Sequence, residues 1–492
     1  MKKLTDILKN TPVREVCGDT AAAIGGLVYD SRAVKPGDCF FAVPGTQSDG
    51  HDYIPMAVEK GAAAIVCERM PADAAEGVAY VLVGDSAGAM ADMAAAFYDY
   101  PSRELKLVGI TGTNGKTTTA TLLYDLVRAM GYKAGLISTV VYKIDGREVE
   151  ATHTTPDSIR LNAMMREMAD AGCAYCFMEC SSHAIVQERT RGLDFAGGIF
   201  SNITHDHLDY HKTFAEYIRA KKLFFDGLPK GAFALTNADD RNGRVMVQNT
   251  AAAVSAYSLR AMADFRCKIV EMHLDGMLLR IDGQELWVGL LGRFNAYNLL
   301  AVYGAAALLG LDRGEVLRVL SMLHAVSGRF EKIRAANGTT AIVDYAHTPD
   351  ALENVIQTIE EIRTPGQQLI VVCGCGGDRD RTKRPEMAAI AVKYATTAVF
   401  TSDNPRHESP EAILDDMVAG LEPGARYLRI ADRAEAIRTA VMLSRPGDII
   451  LVAGKGHETY QIVGDVKHPF DDREEIKKRF ALLNLSLIHI SE

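Results

Sequence analysis

The sequence predicts an α/β chain of three domains, two of them built on mostly parallel sheets. Three observations carry that prediction. At 492 residues the chain is too long for one ordinary hydrophobic core. Apolar runs of strand length recur, each ending in a polar cluster and followed by a helical pattern, as in parallel α/β units. One such unit, Leu105–Thr118, carries a glycine-rich loop of phosphate-binding type.

Residues 1–100 read as mixed strands and helices, with Asp30-Ser31-Arg32 and Pro36-Gly37-Asp38 as turn signals. Tyr100-Pro101-Ser102 reads as a linker. A central domain is expected over 101–330, with strands near Leu105–Ile110, Tyr175–Met178 and Gly198–Phe200. After Lys116, apolar residues at Leu122, Leu123, Leu126, Val127 and Met130 keep the spacing of one helix face. A C-terminal Rossmann-like α/β domain is expected over 331–483. There Ala341–Val343, Leu369–Cys373, Ala398–Phe400 and Ile449–Val452 each lead into a polar loop, which is where parallel sheets bind ligands. Residues 484–492 show no helix or strand logic and are expected to be a non-native tail.

Composition narrows the function classes. The chain is 48% hydrophobic and 24% charged with a net charge of −9, and no long basic run suits a nucleic-acid backbone. No apolar run reaches the ~20 residues of a membrane span, and the N-terminus lacks an apolar signal core. Nine cysteines without framework spacing suit reduced thiols, so a cytoplasmic setting is expected. Cys173/Cys176 and Cys373/Cys375 abut apolar runs and read as small core residues rather than redox or zinc pairs.

Chemistry concentrates after the strands of the central domain. In Thr111-Gly112-Thr113-Asn114-Gly115-Lys116-Thr117-Thr118 the glycines let backbone N–H groups turn toward an anion. Lys116 is suited to terminal phosphates and the Thr117 hydroxyl to Mg²⁺. Ile110 stands where the usual spacing has a glycine, so the loop is a shortened variant. The central domain is therefore expected to be of the P-loop ATPase type. Glu179 closes a buried strand, where a carboxylate is costly unless a cation pairs with it. Its other reading is a helix-capping acid beside Ser181 and Ser182. The segment 202–211 holds His205, His207 and His211 with Asp206 and Asp209. It lacks the helix-borne ligand spacing of a catalytic zinc site, so one imidazole assisting Mg²⁺ is expected.

Taken together, Thr111–Thr117, Glu179–His183, Asp206–His211, Asn295-Ala296-Tyr297-Asn298 and Asp344-Tyr345-Ala346-His347-Thr348-Pro349 resemble the Mur ligases, ATP-dependent amide ligases of peptidoglycan synthesis. The resemblance spans nearly the whole chain. It implies ATP contacts from Gly112, Thr113, Asn114, Gly115, Lys116, Thr117, Thr118, Asn295, Asn298, Arg329, Asp344 and His347. It implies metal contacts from Thr117, Glu179, His207 and Lys221, the lysine being carbamylated. Lys116, Glu179, His207 and Lys221 would be the catalytic set. The substrate UDP-N-acetylmuramoyl-L-Ala-D-Glu would meet Ser31, Thr46, Gln47, Ser48, Thr154, Thr155, Ser181, Gln187 and Arg189. A monomer is also implied.

The amine-binding residues implied by the resemblance are Arg379, Asp403, Asn404, Pro405, Arg406, Gly454 and Glu458. Arginine forks suit a carboxylate and Glu458 suits an ammonium, which favours meso-diaminopimelate over the alternative, L-lysine. A folate-directed relative and a nucleotide-switched binding module are the remaining rivals. Asp30-Ser31-Arg32 and Thr154-Thr155-Pro156 argue against the first, and Glu179, His207 and Lys221 in one chain against the second.

Overall fold

The computed structural model describes residues 1–45, 48–204 and 208–488; Thr46, Gln47, His205, Asp206 and His207 lie outside the described residues. Three large sheets, beside two small two-stranded ones, divide the described residues. The first runs Val13–Cys17, Ala79–Val83, Ala64–Cys67, Cys39–Phe41, Leu27–Val28, with only the first strand antiparallel. Its strands are short and fully apolar where they are central, and the helix Ser86–Phe97 turns Ala89, Met93 and Ala94 onto them.

The central sheet has eleven strands. Its parallel heart is ordered Ala134–Ile137, Tyr175–Glu179, Lys106–Thr111, Gly197–Phe200, Phe233–Asn237, Ala253–Ser258. Pairing sets Glu179 opposite Ile110 and Phe200 opposite Thr111, so three chain segments leave the sheet at one carboxyl edge. The helix Lys116–Ala129 covers this sheet with Leu122, Leu123, Leu126 and Val127, as its spacing predicts.

The C-terminal sheet is ordered Glu331–Arg334, Thr340–Asp344, Ile449–Ala453, Leu369–Cys373, Thr397–Phe400, Tyr427–Arg429, parallel except for the first strand. Thr348 caps the helix Pro349–Ile362 by accepting from the Ala351 N–H, with proline at the first turn. Arg433 and Asp472, both fully buried, join two helices by a bidentate pair at 2.7 and 2.8 Å.

Two features differ from the sequence expectation. A hairpin, Val141–Ile144 with Arg147–Glu150, and a meander, Phe265–His273 to Gln284–Val288, extend the central sheet at its two edges. Edge strands bury one face only, so they lack the continuous apolar runs that betray the parallel strands. The final helix, Asp472–Ile488, continues past Asn484, into the stretch expected to lack structure. No glycine or proline interrupts it, and Leu483 packs on the C-terminal core. All nine cysteines are free thiols and eight are buried, in keeping with core roles. Among the described residues no helix is long and apolar enough to cross a membrane.

Candidate active site

The phosphate loop bridges a buried strand and the first turn of a long helix, which offers free N–H groups to an anion. Gly112 has φ +149°, and a Cβ there would stand 1.9 Å from the Ser201 hydroxyl, so only glycine lets the loop close on its neighbour. Lys116 Nζ donates to the carbonyls of Gly112 at 2.9 Å and Thr113 at 2.8 Å, folding over the loop. The Thr113 and Asn114 N–H groups donate to Asn202, which pins the loop to the neighbouring strand end.

Behind the loop, Thr119 donates to Asn298, and Asn298 in turn donates to Asn295 at 3.2 Å. Asn298 lines a cavity of about 420 Å³ together with Asn114, Gly115, Thr118, Arg329, Asp344 and His347. Asn295 stands behind it as a support, anchored on the Leu291 carbonyl. Arg329 donates to the Thr117 hydroxyl at 3.3 Å and lies 4.5 Å from the centre of the Tyr345 ring. Asp344 accepts from the Phe330 and Ala346 N–H groups, and burial raises its carboxyl above the usual range.

Glu179 is buried, and its carboxylate accepts from the Thr139 N–H at 2.7 Å and the Thr139 hydroxyl at 3.2 Å. It does not cap the following helix; Ser181 does, accepting from the Ala184 N–H. Lys221 is equally buried, donates to the Gly112 carbonyl at 2.8 Å and lies 4.6 Å from the Tyr217 ring centre. Lys221 thus touches the phosphate loop, Thr117 belongs to it, and Glu179 ends the strand paired with the one that leads into it. Carboxylate and hydroxyl oxygens of this kind suit Mg²⁺, which takes few protein ligands and completes its shell with phosphates and water. His211 pairs with the Ser182 hydroxyl at 2.9 Å, a structural task.

A second network runs outward from Glu179. Thr139 donates to Thr154, Ser181 N–H donates to the Thr155 hydroxyl, and Arg189 donates to the Thr155 carbonyl and to Gln187, both at 2.6 Å. Five of the expected UDP-substrate residues are therefore contiguous. Ser31, buried against Met56, and Ser48, exposed, stand apart in the N-terminal domain.

The third cluster lies at the carboxyl edge of the C-terminal sheet. A cavity of about 1390 Å³ is lined by Thr154 from the central domain and by Arg379, Asp403, Asn404, Arg406, Gly454 and Glu458. Arg406 has φ +51° and is held on both sides, its N–H on the Ile462 carbonyl and its carbonyl on the Gly464 N–H. Its guanidinium donates to the Gly377 carbonyl at 2.8 Å. Among the described residues no carboxylate pairs with Arg379 or Arg406. Glu458 accepts from Asn404 at 2.9 Å and from buried Lys455 at 3.0 Å. Pro405 contributes a carbonyl that accepts from the Glu408 N–H.

Sequence reasoning missed Asp350, Thr139 and Lys455. Asp350 lines both cavities and accepts from Asn114 at 3.1 Å and Thr204 at 3.3 Å, linking the helix Pro349–Ile362 to the phosphate loop. Following Pro349 at a helix start, it reads in sequence as an ordinary first-turn acid.

Comparison with known proteins places all three regions in one family. Residues 23–98 match the model described as Mur ligase family, catalytic domain; 110–306 the Mur ligase middle domain; and 328–456 the Mur ligase, glutamate ligase domain. A UDP-N-acetylmuramoyl-L-alanyl-D-glutamate–2,6-diaminopimelate ligase of Phocaeicola vulgatus is 55% identical over 97% of this chain and 99% of its own. A solved structure of an enzyme with that name is 31% identical, covers 98% of this chain and 100% of its own, and superposes with TM-score 0.70. A MurF ligase from Thermotoga maritima, solved with ADP, shares the fold at 18% identity and TM-score 0.62 over 93% and 97% of the two chains.

Proposed function

This chain belongs to the Mur ligase family, and on that premise we propose that it joins meso-diaminopimelate to UDP-N-acetylmuramoyl-L-Ala-D-Glu at the expense of ATP. The observation that carries the choice of amine is that Arg379 and Arg406, which pair with no carboxylate among the described residues, stand with Glu458 in a cavity that meets the nucleotide cavity at His347 and Asp350. A guanidinium fork on a cavity wall favours a carboxylate, and diaminopimelate differs from lysine by just such a carboxylate.

The reaction passes a phosphoryl group from ATP to the terminal carboxylate of the D-glutamyl residue. The amine, in its neutral form, then attacks the acyl carbon, the C–N bond forms, and phosphate leaves with the C–O electron pair while the nitrogen gives up a proton to phosphate or water. Lys116 and the helix N-terminus at Thr117 hold the triphosphate, and Arg329, on Thr117 and beside the Tyr345 ring, stands ready for its charge. Glu179, Thr117, His207 and carbamylated Lys221 are the residues proposed to hold Mg²⁺. Bound there, the metal supplies charge neutralisation at the transferring group. The Thr154–Arg189 network positions the UDP-linked peptide, and Ser31, Thr46, Gln47 and Ser48 are proposed to hold its nucleotide end. Arg406 and Arg379 take the distal carboxylate of the amino acid, while Glu458 takes its ammonium.

The test is phosphate release with ATP, Mg²⁺ and the UDP-linked dipeptide, offering meso-diaminopimelate against L-lysine. Turnover with diaminopimelate at a kcat/KM at least about a hundredfold above lysine is expected. Equal turnover with lysine would refute the assignment of the amine.

A further inference from the structure

We propose that Glu408, clamped by Arg384, is a positioning residue that sets the amino-acid specificity of the site by fixing the loop on which Arg406 rests. This rests on the proposed function and goes one layer behind it. Arg384 has no exposed side-chain surface, and it grips Glu408 with both ends of its fork, at 3.0 Å to Oε2 and 2.8 Å to Oε1. The same guanidinium donates to the Gly376 carbonyl at 3.2 Å and to Asp416 at 2.7 Å. Glu408 Oε1 also accepts from the Asp378 N–H at 2.7 Å.

One ion pair therefore fastens both flanks of Gly376-Gly377-Asp378. That segment leaves almost no room to move. A Cβ on Gly377 would stand 1.9 Å from the Pro405 carbonyl, and the Gly377 N–H donates to the Asn404 carbonyl at 2.9 Å. The Gly377 carbonyl is in turn the acceptor that orients the Arg406 guanidinium. Arg379 follows Asp378 directly. Both guanidiniums facing the cavity thus take their place from a loop held by Glu408, although Glu408 does not line the cavity.

A fork displaced by about 1 Å still carries its charge but no longer meets a carboxylate in bidentate geometry. The expected signature is lost discrimination rather than lost catalysis. Glu408→Gln keeps the volume while replacing one acceptor with an NH₂ that faces the guanidinium. The experiment measures steady-state phosphate release by wild type and Glu408→Gln, with diaminopimelate and lysine as competing amines. Expected are a rise of about tenfold or more in KM for diaminopimelate and a matching fall in the diaminopimelate-to-lysine ratio of kcat/KM. KM for ATP and for the UDP-linked dipeptide should stay within about twofold. A purely structural defect lowers kcat/KM for both amines alike and leaves their ratio unchanged, and that result overturns the proposal. If Glu408→Gln fails to fold, Asp416→Asn loosens the same Arg384 from its outer side, and an unchanged ratio in that variant likewise overturns it. Wild-type protein that turns over lysine as well as diaminopimelate would instead overturn the proposed function, independently of either variant.

Discussion

The cavities proposed for the nucleotide and for the amine are built by opposite strategies. At the nucleotide cavity one short continuous segment supplies the phosphate cradle: the loop Gly112–Thr118 presents backbone groups and Lys116, beside the neutral Asn202 and Asn298 and the charged Arg329, Asp344 and Asp350. Around the amine, no local segment suffices. Arg379, Arg406 and Glu458 come from three separate strand ends, and buried ion pairs behind them fix their places. Backbone cradles tolerate the loss of side chains behind them, because the fold itself holds the amides. A side-chain site built on buried charges fails when any one partner goes, since the remaining charge is stranded.

The largest effect that contrast predicts falls on the Arg433–Asp472 pair. Arg433 donates to the carbonyls of Ser402 and Ala453, the residues just before the loops carrying Asp403 and Gly454. Asp472→Asn leaves a fully buried guanidinium without its counter-charge and with one of its two oxygen acceptors replaced by an NH₂. A loss of about 3–5 kcal/mol in unfolding free energy is expected, read as a lower denaturant midpoint at an unchanged slope. In the surviving folded protein, KM for the amine should rise more than KM for ATP.

Next is Lys116→Ala, which strikes the nucleotide side. The ammonium is proposed to meet charge that develops on the transferring phosphoryl group, so kcat should fall about 10²–10³-fold. KM for the amine should change by less than about threefold, because nothing behind Arg406 depends on the loop. A comparable rise in that KM would mean that the two cavities are one coupled unit. Arg406→Ala is the converse test, with KM for diaminopimelate up about 10²-fold and KM for ATP unmoved.

The same contrast decides what the sequence makes legible. The phosphate loop, the strand before it and the helix after it lie within Lys106–Ala129, so local pattern is enough to find them. The parallel strands are equally plain, because burial on both faces writes itself as apolar runs such as Leu369–Cys373. The edge hairpins are not, since their half-buried strands alternate weakly, as in Phe265–His273. Arg406 and Glu458 are found through motif resemblance, whereas Arg384, Glu408 and Asp350 look like any surface charges on helices and turns. Their burial and partners arise only when distant loops meet, and no spacing in the chain encodes that meeting.

The smallest predicted effect belongs to a group that both sides feel. His457 follows Gly454-Lys455-Gly456 on the amine side, and its ring lies 5.1 Å from that of Tyr345, which lines both cavities. Partial burial, followed by the nearby positive charges of Arg329, Arg473 and Lys455, lowers its pKa from 6.5 to about 3. The imidazole is thus neutral in the folded chain at pH 5–7, whereas in the unfolded chain it takes up a proton below about 6.5. Between those values the unfolded state binds more protons, so stability rises with pH there and drains away as pH falls from 6.5 toward 3. About 1 kcal/mol should be lost between pH 7.5 and 5.5 through this group alone. His457→Gln should flatten that part of the stability profile measured by chemical unfolding. An unchanged slope in the variant would mean that the ring is solvated in both states, and the cations on the two sides would then act without a common neighbour.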